Sequence, residues 1–561
     1  MANISFHGSH NGAMVIEKDG EILCVIEVER FLNYKNAGIA QYKVPRYIMI
    51  TVEEIIKWIE KEYGITEFDN CYFSSTDFIG ENYEGVHRFF QTNQLIKAQN
   101  YIHGWHHESH AYGVFYQSPF KEALIFSFDG GGDDGEFNVY HAVRGQDMER
   151  LEQVKNPIVG DPNLYYNLGF AYMIFGQYLK DIQLDNVGDG NLVWPGKIMG
   201  LVSYGNVNDE WLEHFIHFFK SDPDGAADDY IAKLNKLGEA IGVQFDIQNR
   251  LEGQIEYDVA ATAQRAFEEC FIEVAKPYFD KYPDLPVCIT GGCALNIILN
   301  TRIKQEFNKE VFVGPNPNDC GIALGLMLRH LKPEQPVDIT YKGLPILDKH
   351  MIAQLLAEYG NVKKLMPRDN DYYHPFEQYN PSILVKDLAG GKIVGVVQGQ
   401  AEHGPRALGH RSILCNPSIP EMKDILNKKV KNREWYRPFA PVVRLEDVNK
   451  YFEWEGDARW MSFCPTVREE WREKLAAITH VDNTARVQTV TKEQNEWLYN
   501  LLTEFEKETG VGVLLNTSFN VNGKPILSTY KDAFIIYDRT ELDCLLLEDY
   551  YVRKEPFPDE K

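Results

Sequence analysis

Paired cysteines, long apolar runs and positive charge are what this sequence has least of. Nine cysteines lie scattered at positions 24, 71, 270, 288, 293, 320, 415, 464 and 544, with no C-x-x-C pair among them. That excludes a disulfide framework and a zinc ribbon and suits a reducing compartment. No uninterrupted apolar stretch approaches the ~18 residues that a membrane span needs. The opening Met-Ala-Asn-Ile-Ser-Phe-His lacks a charged start followed by an apolar core, so no signal peptide is read and a cytoplasmic protein is expected. Lys and Arg number 57 against 82 Asp and Glu, a formal net charge of −25. This argues against general attraction to nucleic acid or anionic membranes. No internal repeat and no low-complexity segment is found.

What is present is length and globular composition. A chain of 561 residues, 44% hydrophobic and 25% charged, exceeds one ordinary core and predicts two or more domains of globular composition. From about Lys332 to Asn380 the text turns Pro-rich (Pro333, Pro336, Pro345, Pro367, Pro375). A linker over 346–380, with one helix near residues 349–359, is expected to separate a first domain, 1–345, from a second, 381–561.

In the first domain, Ala13–Ile16 and Ile22–Ile26 flank Asp19-Gly20, a hairpin signal. The polar loop His7-Gly-Ser-His-Asn-Gly12 precedes it. Thr51-Val-Glu-Glu54 reads as a capping box opening a helix. His106 and His110 are spaced i, i+4, so a helix would put both imidazoles on one face, as a metal needs. The strand Leu124–Phe128 ends in Asp129 and a glycine run, and Val311–Val313 leads to Asp319. Two histidines and two carboxylates suit iron, manganese or zinc better than magnesium. Val287–Thr290 runs into Gly291-Gly-Cys-Ala-Leu-Asn296, where paired glycines permit a nucleotide's close approach; a tight turn accounts for the fragment nearly as well. Val259 through Val274 form a helical core stripe.

The densest stretch lies in the second domain. A buried strand, Ile393–Val397, opens into a loop with Arg406 and Arg411 beside Gly404 and Gly409. Lys428, Lys429, Lys431, Arg433 and Arg437 follow, interleaved with Trp435, Tyr436, Pro438 and Phe439. A solvated basic face does not need those apolar neighbours, and guanidinium forks match phosphate or carboxylate oxygens in pairs, so an anion site is read here. Asn483–Thr489 and the strand Val511–Leu515, emptying into Asn516-Thr-Ser-Phe-Asn520, add hydroxyl and amide donors.

Taken in order, several motifs resemble the O-carbamoyltransferase family, which includes NodU-type nodulation proteins and the cephem and tobramycin carbamoyltransferases. They are His106-His-Glu-Ser-His-Ala111, Gly196-Lys-Ile-Met-Gly-Leu201, Gly291-Gly-Cys-Ala-Leu-Asn296, Asp319-Cys-Gly321, Gly404-Pro-Arg-Ala-Leu-Gly-His-Arg-Ser-Ile413, Arg433-Glu-Trp-Tyr-Arg-Pro-Phe-Ala-Pro441, Ala485-Arg-Val-Gln-Thr489 and Leu515-Asn-Thr-Ser-Phe-Asn520. The resemblance implies a first domain of the actin/sugar-kinase/heat-shock-chaperone ATPase fold, like threonylcarbamoyl transferases, and a second, YrdC-like α/β domain. It further implies that the second domain makes carbamoyl-adenylate from carbamoyl phosphate and ATP with Mg²⁺. The first domain then passes the carbamoyl group to a hydroxyl of a small polar metabolite. By the same resemblance, Arg406, Lys431, Arg437, Arg486 and Ser518 grip the phosphates. His106, His110, Asp129 and Asp319 hold a divalent metal, iron(II) foremost with manganese or zinc as alternatives. Gly131, Gly132, Lys197, Gly291, Gly292 and Asn296 line the adenylate, and His10 takes the proton of the acceptor hydroxyl.

Asn11, Asn33, Lys524 and His410 depart from the family pattern, the first two near the transfer site, where Asn36 also lies. A small-molecule kinase built on the first domain, and a nucleotide-binding protein with a decayed transfer site, stay open as alternatives. Neither the acceptor nor the oligomeric state is legible.

Overall fold

The computed structural model describes residues 2–38, 45–74, 95–154, 168–184, 190–220, 230–365 and 382–557. Two compact units divide the chain, residues 1–339 and 340–561. Among the described residues no helix is long and apolar enough to cross a membrane. All nine cysteines are free and buried.

The first unit holds two five-stranded sheets. One comprises β1 (Ala2–His7), β2 (Ala13–Lys18), β3 (Glu21–Glu27), β4 (Phe68–Ser74) and β5 (Ala98–His103), in the order β3-β2-β1-β4-β5. The other comprises β6 (Glu122–Gly132), β7 (Gly135–Val143), β8 (Glu149–Val154), β9 (Val287–Thr290) and β10 (Val311–Phe312), in the order β10-β9-β6-β7-β8. Each begins with an antiparallel meander of three strands and adds two parallel strands beside the meander's first. This is one topology used twice, the duplicated arrangement of the actin/sugar-kinase/heat-shock-chaperone ATPase fold. The repeat is absent from the sequence because many apolar alternations satisfy one strand order. The first hairpin turns at Asp19 (φ 54°) and Gly20 (φ 89°), the left-handed pair that the Asp-Gly dipeptide predicts.

Helix α1 (Pro45–Tyr63) buries Val52, Ile55 and Ile59. It starts before Thr51, so the expected capping box is not its N-terminus; proline suits a first turn, where its missing N–H is no loss.

Helices α2 (His106–Gln117) and α3 (Ile322–Leu331) pack together in a core that joins residues of both sheets. Every residue of α2 except Glu108 is buried, so it shows no amphipathic stripe. Both its ends are held by charge. Asp133 accepts the His106 N–H at 2.9 Å, and Asp134 accepts those of His107 and Glu108 at 2.8 and 3.1 Å. At the other end Arg144 donates to the carbonyls of Phe115 (3.2 Å) and Ser118 (2.7 Å). Acid at the start and a cation at the end match the helix dipole.

The second unit is built on one mixed eight-stranded sheet. Its strands are β11 (Val362–Lys364), β12 (Val394–Val397), β13 (Arg411–Cys415), β14 (Ala440–Arg444), β15 (Gln488–Val490), β16 (Val513–Ser518), β17 (Cys544–Leu547) and β18 (Tyr550–Arg553), ordered β11-β18-β17-β12-β13-β16-β14-β15. Residues 340–365 belong to this unit: β11 pairs with β18, and Gly343 N–H donates to Ala401 O at 2.9 Å. A helical segment covers residues 349–356. The remainder of the expected linker, residues 366–380, lies outside the described residues.

The α2–α3 crossing depends on glycine. A Cβ on Gly325 would lie 1.7 Å from the Ser109 carbonyl oxygen, and Gly113 faces Gly325 at the same contact. Gly325→Ala is therefore expected to destabilise the first unit by about 2 kcal/mol or more, read as a lower denaturation midpoint. An unchanged midpoint would mean that α2 can shift without cost.

Candidate metal and anion sites

In the first unit the structure brings together His106 and His110 from the first turns of α2, Asp129 near the end of β6, and Asp319 after β10. One ligand atom from each lies within 4.8 Å of the others. His110 Nε2 is 3.4 Å from Asp129 Oδ2 and 3.6 Å from Asp319 Oδ1; His106 Nε2 is 3.9 and 3.8 Å from the same oxygens. Four donors about 2.1 Å from one ion in tetrahedral array stand about 3.4 Å apart, so the spacing suits a divalent metal. The chemistry fits too. Both ring nitrogens of His106 and His110 are buried without a hydrogen-bond partner among the described residues, and a buried carboxylate, Asp319, beside a half-buried one, Asp129, calls for a cation.

Asp129 is held by backbone donors: Gly130 N–H to Oδ1 at 2.7 Å and Gly292 N–H to Oδ2 at 2.6 Å. Burial and Asp319 both oppose the charge on Asp129, but His106 and His110 outweigh them and hold its pKa well below the carboxylate range. The expected nucleotide-lining glycines sit in these turns. A Cβ on Gly292 would lie 2.8 Å from Asp129 Oδ1, and one on Gly132 would lie 2.8 Å from the His106 ring. Gly131 and Gly291 adjoin them with φ of 130° and 87°. Asn296 caps a helix through Leu299 N–H (3.0 Å) and pairs its amide with Gln264. Lys197, buried, donates to Gln183 O at 2.8 Å.

Asp319 has a second face. Its Oδ2 is 3.4 Å from His10 Nδ1 and 3.5 Å from His7 Nε2. Burial opposes its charge, and His10, His106, His110 and His7 together hold its pKa well down. His7, fully buried at the end of β1 and edge-on to His106 at 6.1 Å, was not among the expected site residues. The signal available was a polar face, Asn3, Ser5 and His7, alternating with apolar residues along the strand. His107 is not a ligand: its ring bridges Ser127 Oγ and Gly135 O, both at 2.8 Å, and burial pushes its pKa down to about 4.

In the second unit Arg406, Arg433, Arg437 and Arg486 gather within electrostatic range of one another. Burial first, then the neighbouring guanidiniums, press the pKa of Arg406 down to about 10 and those of Arg433 and Arg486 further. A guanidinium does not release its proton in a protein, so this frustration is a demand for an anion. Arg437 meets Glu434 at 3.4 Å, and Arg433 donates to Asn427 Oδ1 at 2.7 Å. Arg406 and Arg486 make no hydrogen bond among the described residues, and Arg486 Nε is buried without a partner. Lys431 and Ser518 come together: the Lys431 ammonium donates to Ser518 Oγ at 3.2 Å and to Asn520 Oδ1 at 2.8 Å. Of the basic run read as an anion site, Arg433 and Arg437 join this cluster. Arg411, read as a second loop cation, instead opens β13 fully buried, donating to the carbonyls of Gln398, Gly399 and His410 at 2.7 to 3.0 Å. It clamps the loop that carries Arg406.

Two outcomes are expected at the metal site. His7→Gln should weaken divalent-metal binding about tenfold to a hundredfold, measured as metal retained after dialysis against graded chelator; wild-type retention would leave His7 a packing residue. Burial opposes the charge on His106, but Asp319 and Asp129 outweigh it and raise its pKa to about 9. A metal must displace that proton, so affinity should rise about tenfold per pH unit below that value. A flat affinity between about pH 6.5 and 8.5 would contradict proton displacement.

Comparison with known proteins places this geometry. Residues 91–328 match the family model described as Carbamoyltransferase N-terminus, and residues 385–554 match Carbamoyltransferase C-terminus. Nodulation protein NolO of Bradyrhizobium diazoefficiens is 33% identical over 465 residues, 80% of this chain and 79% of that protein. 3'-Hydroxymethylcephem-O-carbamoyltransferase of Amycolatopsis lactamdurans is 28% identical over 99% of this chain and all of that protein. Nodulation protein U of Bradyrhizobium diazoefficiens is 26% identical over 92% of this chain and 91% of that protein. With both family models matched in order and relatives aligned along most of its length, the chain belongs to the carbamoyltransferase family and is an enzyme of that class.

Proposed function

We propose that the protein is an ATP-dependent O-carbamoyltransferase working in two steps. In the second unit, with Mg²⁺, water cleaves carbamoyl phosphate to carbamate and phosphate; a carbamate oxygen then bonds to the α-phosphorus of ATP, the bond from that phosphorus to the β-phosphate oxygen breaks, and carbamoyl-adenylate and pyrophosphate result. In the first unit the carbamoyl group passes to a hydroxyl of a small polar acceptor, and AMP leaves. The observation that carries this reading is the gathering of four guanidiniums, two of them, Arg406 and Arg486, without a hydrogen bond among the described residues. Phosphoryl transfer asks a protein chiefly for fixed positive charge around developing negative charge. Lys431 and Ser518, which meet each other and Asn520, are assigned to the same phosphates.

At the acceptor end, His10 faces Asp319 through Nδ1 and has a side chain one-third exposed. With the Nδ1 proton directed at the carboxylate, Nε2 is left as the lone pair that takes the acceptor's proton. The hydroxyl oxygen then bonds to the carbamoyl carbon, and the bond from that carbon to the AMP oxygen breaks. The reading gives Asp319 the orienting task that the carboxylate partner of a catalytic histidine performs elsewhere. A divalent ion held by His106, His110, Asp129 and Asp319, with iron(II), manganese and zinc compatible with the donors, would supply Lewis-acid polarisation of the transferred carbonyl. The glycine turns at Gly131, Gly132, Gly291 and Gly292, with Lys197 and Asn296, are assigned to the adenylate. The likeness to 3'-hydroxymethylcephem-O-carbamoyltransferase supports a hydroxyl as acceptor.

The test is incubation with carbamoyl phosphate, ATP, Mg²⁺ and trace Fe²⁺ without acceptor, following pyrophosphate and carbamoyl-adenylate by mass spectrometry. Both should appear. Arg406→Gln should lower their formation about 10²- to 10³-fold while leaving the melting temperature unchanged or higher, because it removes an unpartnered like charge. Lys431→Ala should reduce formation similarly. Conversion of ATP to ADP alone, or pyrophosphate release indifferent to both substitutions, would remove the adenylating reading.

A further inference from the structure

A neutral acceptor borders the arginine cluster. Residues 480–484 close a tight turn, with His480 N–H donating to Thr484 O at 2.8 Å and Asn483 N–H to His480 O at 2.9 Å. Within it, Thr484 Oγ1 lies 2.8 Å from Asp482 Oδ1 and 2.9 Å from His480 Nδ1. An ionised carboxylate only accepts, so the single hydroxyl proton goes to Asp482. Thr484 Oγ1 must then accept from the ring, which puts the imidazole proton on Nδ1 and leaves Nε2 a bare lone pair. Nε2 is buried and has no hydrogen-bond partner among the described residues. The ring stays neutral: burial, opposed by Asp482 and reinforced by the cations Arg486 and Lys423, pushes its pKa down to about 4.

The surroundings are donors. Arg486 and Lys423 act directly on His480, and Arg406, Arg433 and Arg437 act on Arg486. The carboxylate within the cluster, Glu434, faces Arg437. Carbamoyl phosphate offers phosphate and carbonyl oxygens to such a wall, but it also carries one donor, its NH₂ group, which guanidinium and ammonium groups cannot match.

We propose that His480 Nε2 accepts a hydrogen bond from the carbamoyl NH₂, making His480 the residue by which the second unit selects carbamoyl phosphate over acyl phosphates bearing a methyl group there. The inference rests on the carbamoyl phosphate reading of this unit. Acetyl phosphate fills the same shape and satisfies the same cations, but leaves the buried Nε2 unpaired, a loss that ligands missing one hydrogen-bonding group incur in sites built for it.

The test uses the full-length protein with Mg²⁺ and no ATP, measuring binding of carbamoyl phosphate, acetyl phosphate and inorganic phosphate by calorimetry. Wild type should prefer carbamoyl over acetyl phosphate by about tenfold to a hundredfold. His480→Phe keeps an aromatic ring but no acceptor; the preference should fall to near unity while the affinity for inorganic phosphate holds. Thr484→Val, which releases the tautomer, should lose most of the preference, and Thr484→Ser should keep it. A preference retained in both His480→Phe and Thr484→Val, or absent from wild type that still binds both acyl phosphates, would overturn the role of His480 alone. Wild type that binds neither the acyl phosphates nor phosphate would overturn the carbamoyl phosphate reading itself, and this inference with it.

Discussion

The first unit depends on keeping one buried carboxylate ionised. Asp319 is almost wholly out of solvent, and it stands beside a second carboxylate, Asp129. Two carboxylates this close, one of them buried, are tolerable only with cations or hydrogen-bond donors around them. The surrounding architecture supplies these. His106 and His110 face Oδ1, His7 and His10 face Oδ2, and the Gly130 and Gly292 amides take the oxygens of Asp129. The helix that carries two of these histidines is itself buried almost all round, so its ends need partners that solvent cannot provide. Asp133 and Asp134, from the same β6–β7 turn region that carries Asp129, and Arg144, after β7, provide them. The metal ligands and the caps of their helix are thus one construction.

The second unit carries the opposite problem and leaves it open. Around Arg406 and Arg486 the protein gathers cations and withholds acceptors. Arg411, by contrast, is met by three carbonyls. The distinction separates cations that hold the loops from cations that wait for a ligand. A chain with a net charge of −25 could have neutralised these guanidiniums with acids, as it does elsewhere with Arg302 beside Glu268, Glu269 and Glu306. That it does not is the strongest physical mark of an anion site in the molecule.

Local patterns carried much of this in the sequence. The i, i+4 spacing of His106 and His110 placed both rings on one helical face, and the strands ending near Asp129 and Asp319 were legible from apolar runs and glycine punctuation. What stayed hidden depends on long-range pairing. His7 is a site residue only because β1 lies beside α3 and the Asp319 turn, which no local period reveals. Arg411 and Arg406 look alike in the text; only the register of β13 against β12 shows that one guanidinium turns inward to carbonyls. His480 lacked any motif of its own, because its tautomer is set by a threonine four residues on. The duplicated strand order is invisible for the same reason: it resides in pairing, not in residue identity.

The positions where the acceptor end departs from the family pattern acquire a conformational meaning. Asn11, Asn33 and Asn36 all adopt positive φ, at 52°, 53° and 58°. Asparagine is among the few non-glycine residues that enter this region at small cost. The segments they shape are hydrogen-bonded together, Asn11 N–H to Asn36 O at 3.2 Å and Gly12 N–H to Ala37 O at 3.0 Å. They press so close that a Cβ on Gly38 would meet the Ser9 carbonyl oxygen at 1.8 Å. His10 lies on the inner segment of this packed pair. The asparagines therefore fix the path of the loop that presents His10, while the carboxylate facing its Nδ1 comes from Asp319, far away in sequence. The Asn11 amide nitrogen lies 3.4 Å from the same His10 Nδ1 that faces Asp319, so a change of charge at position 11 acts on the histidine–carboxylate pair itself.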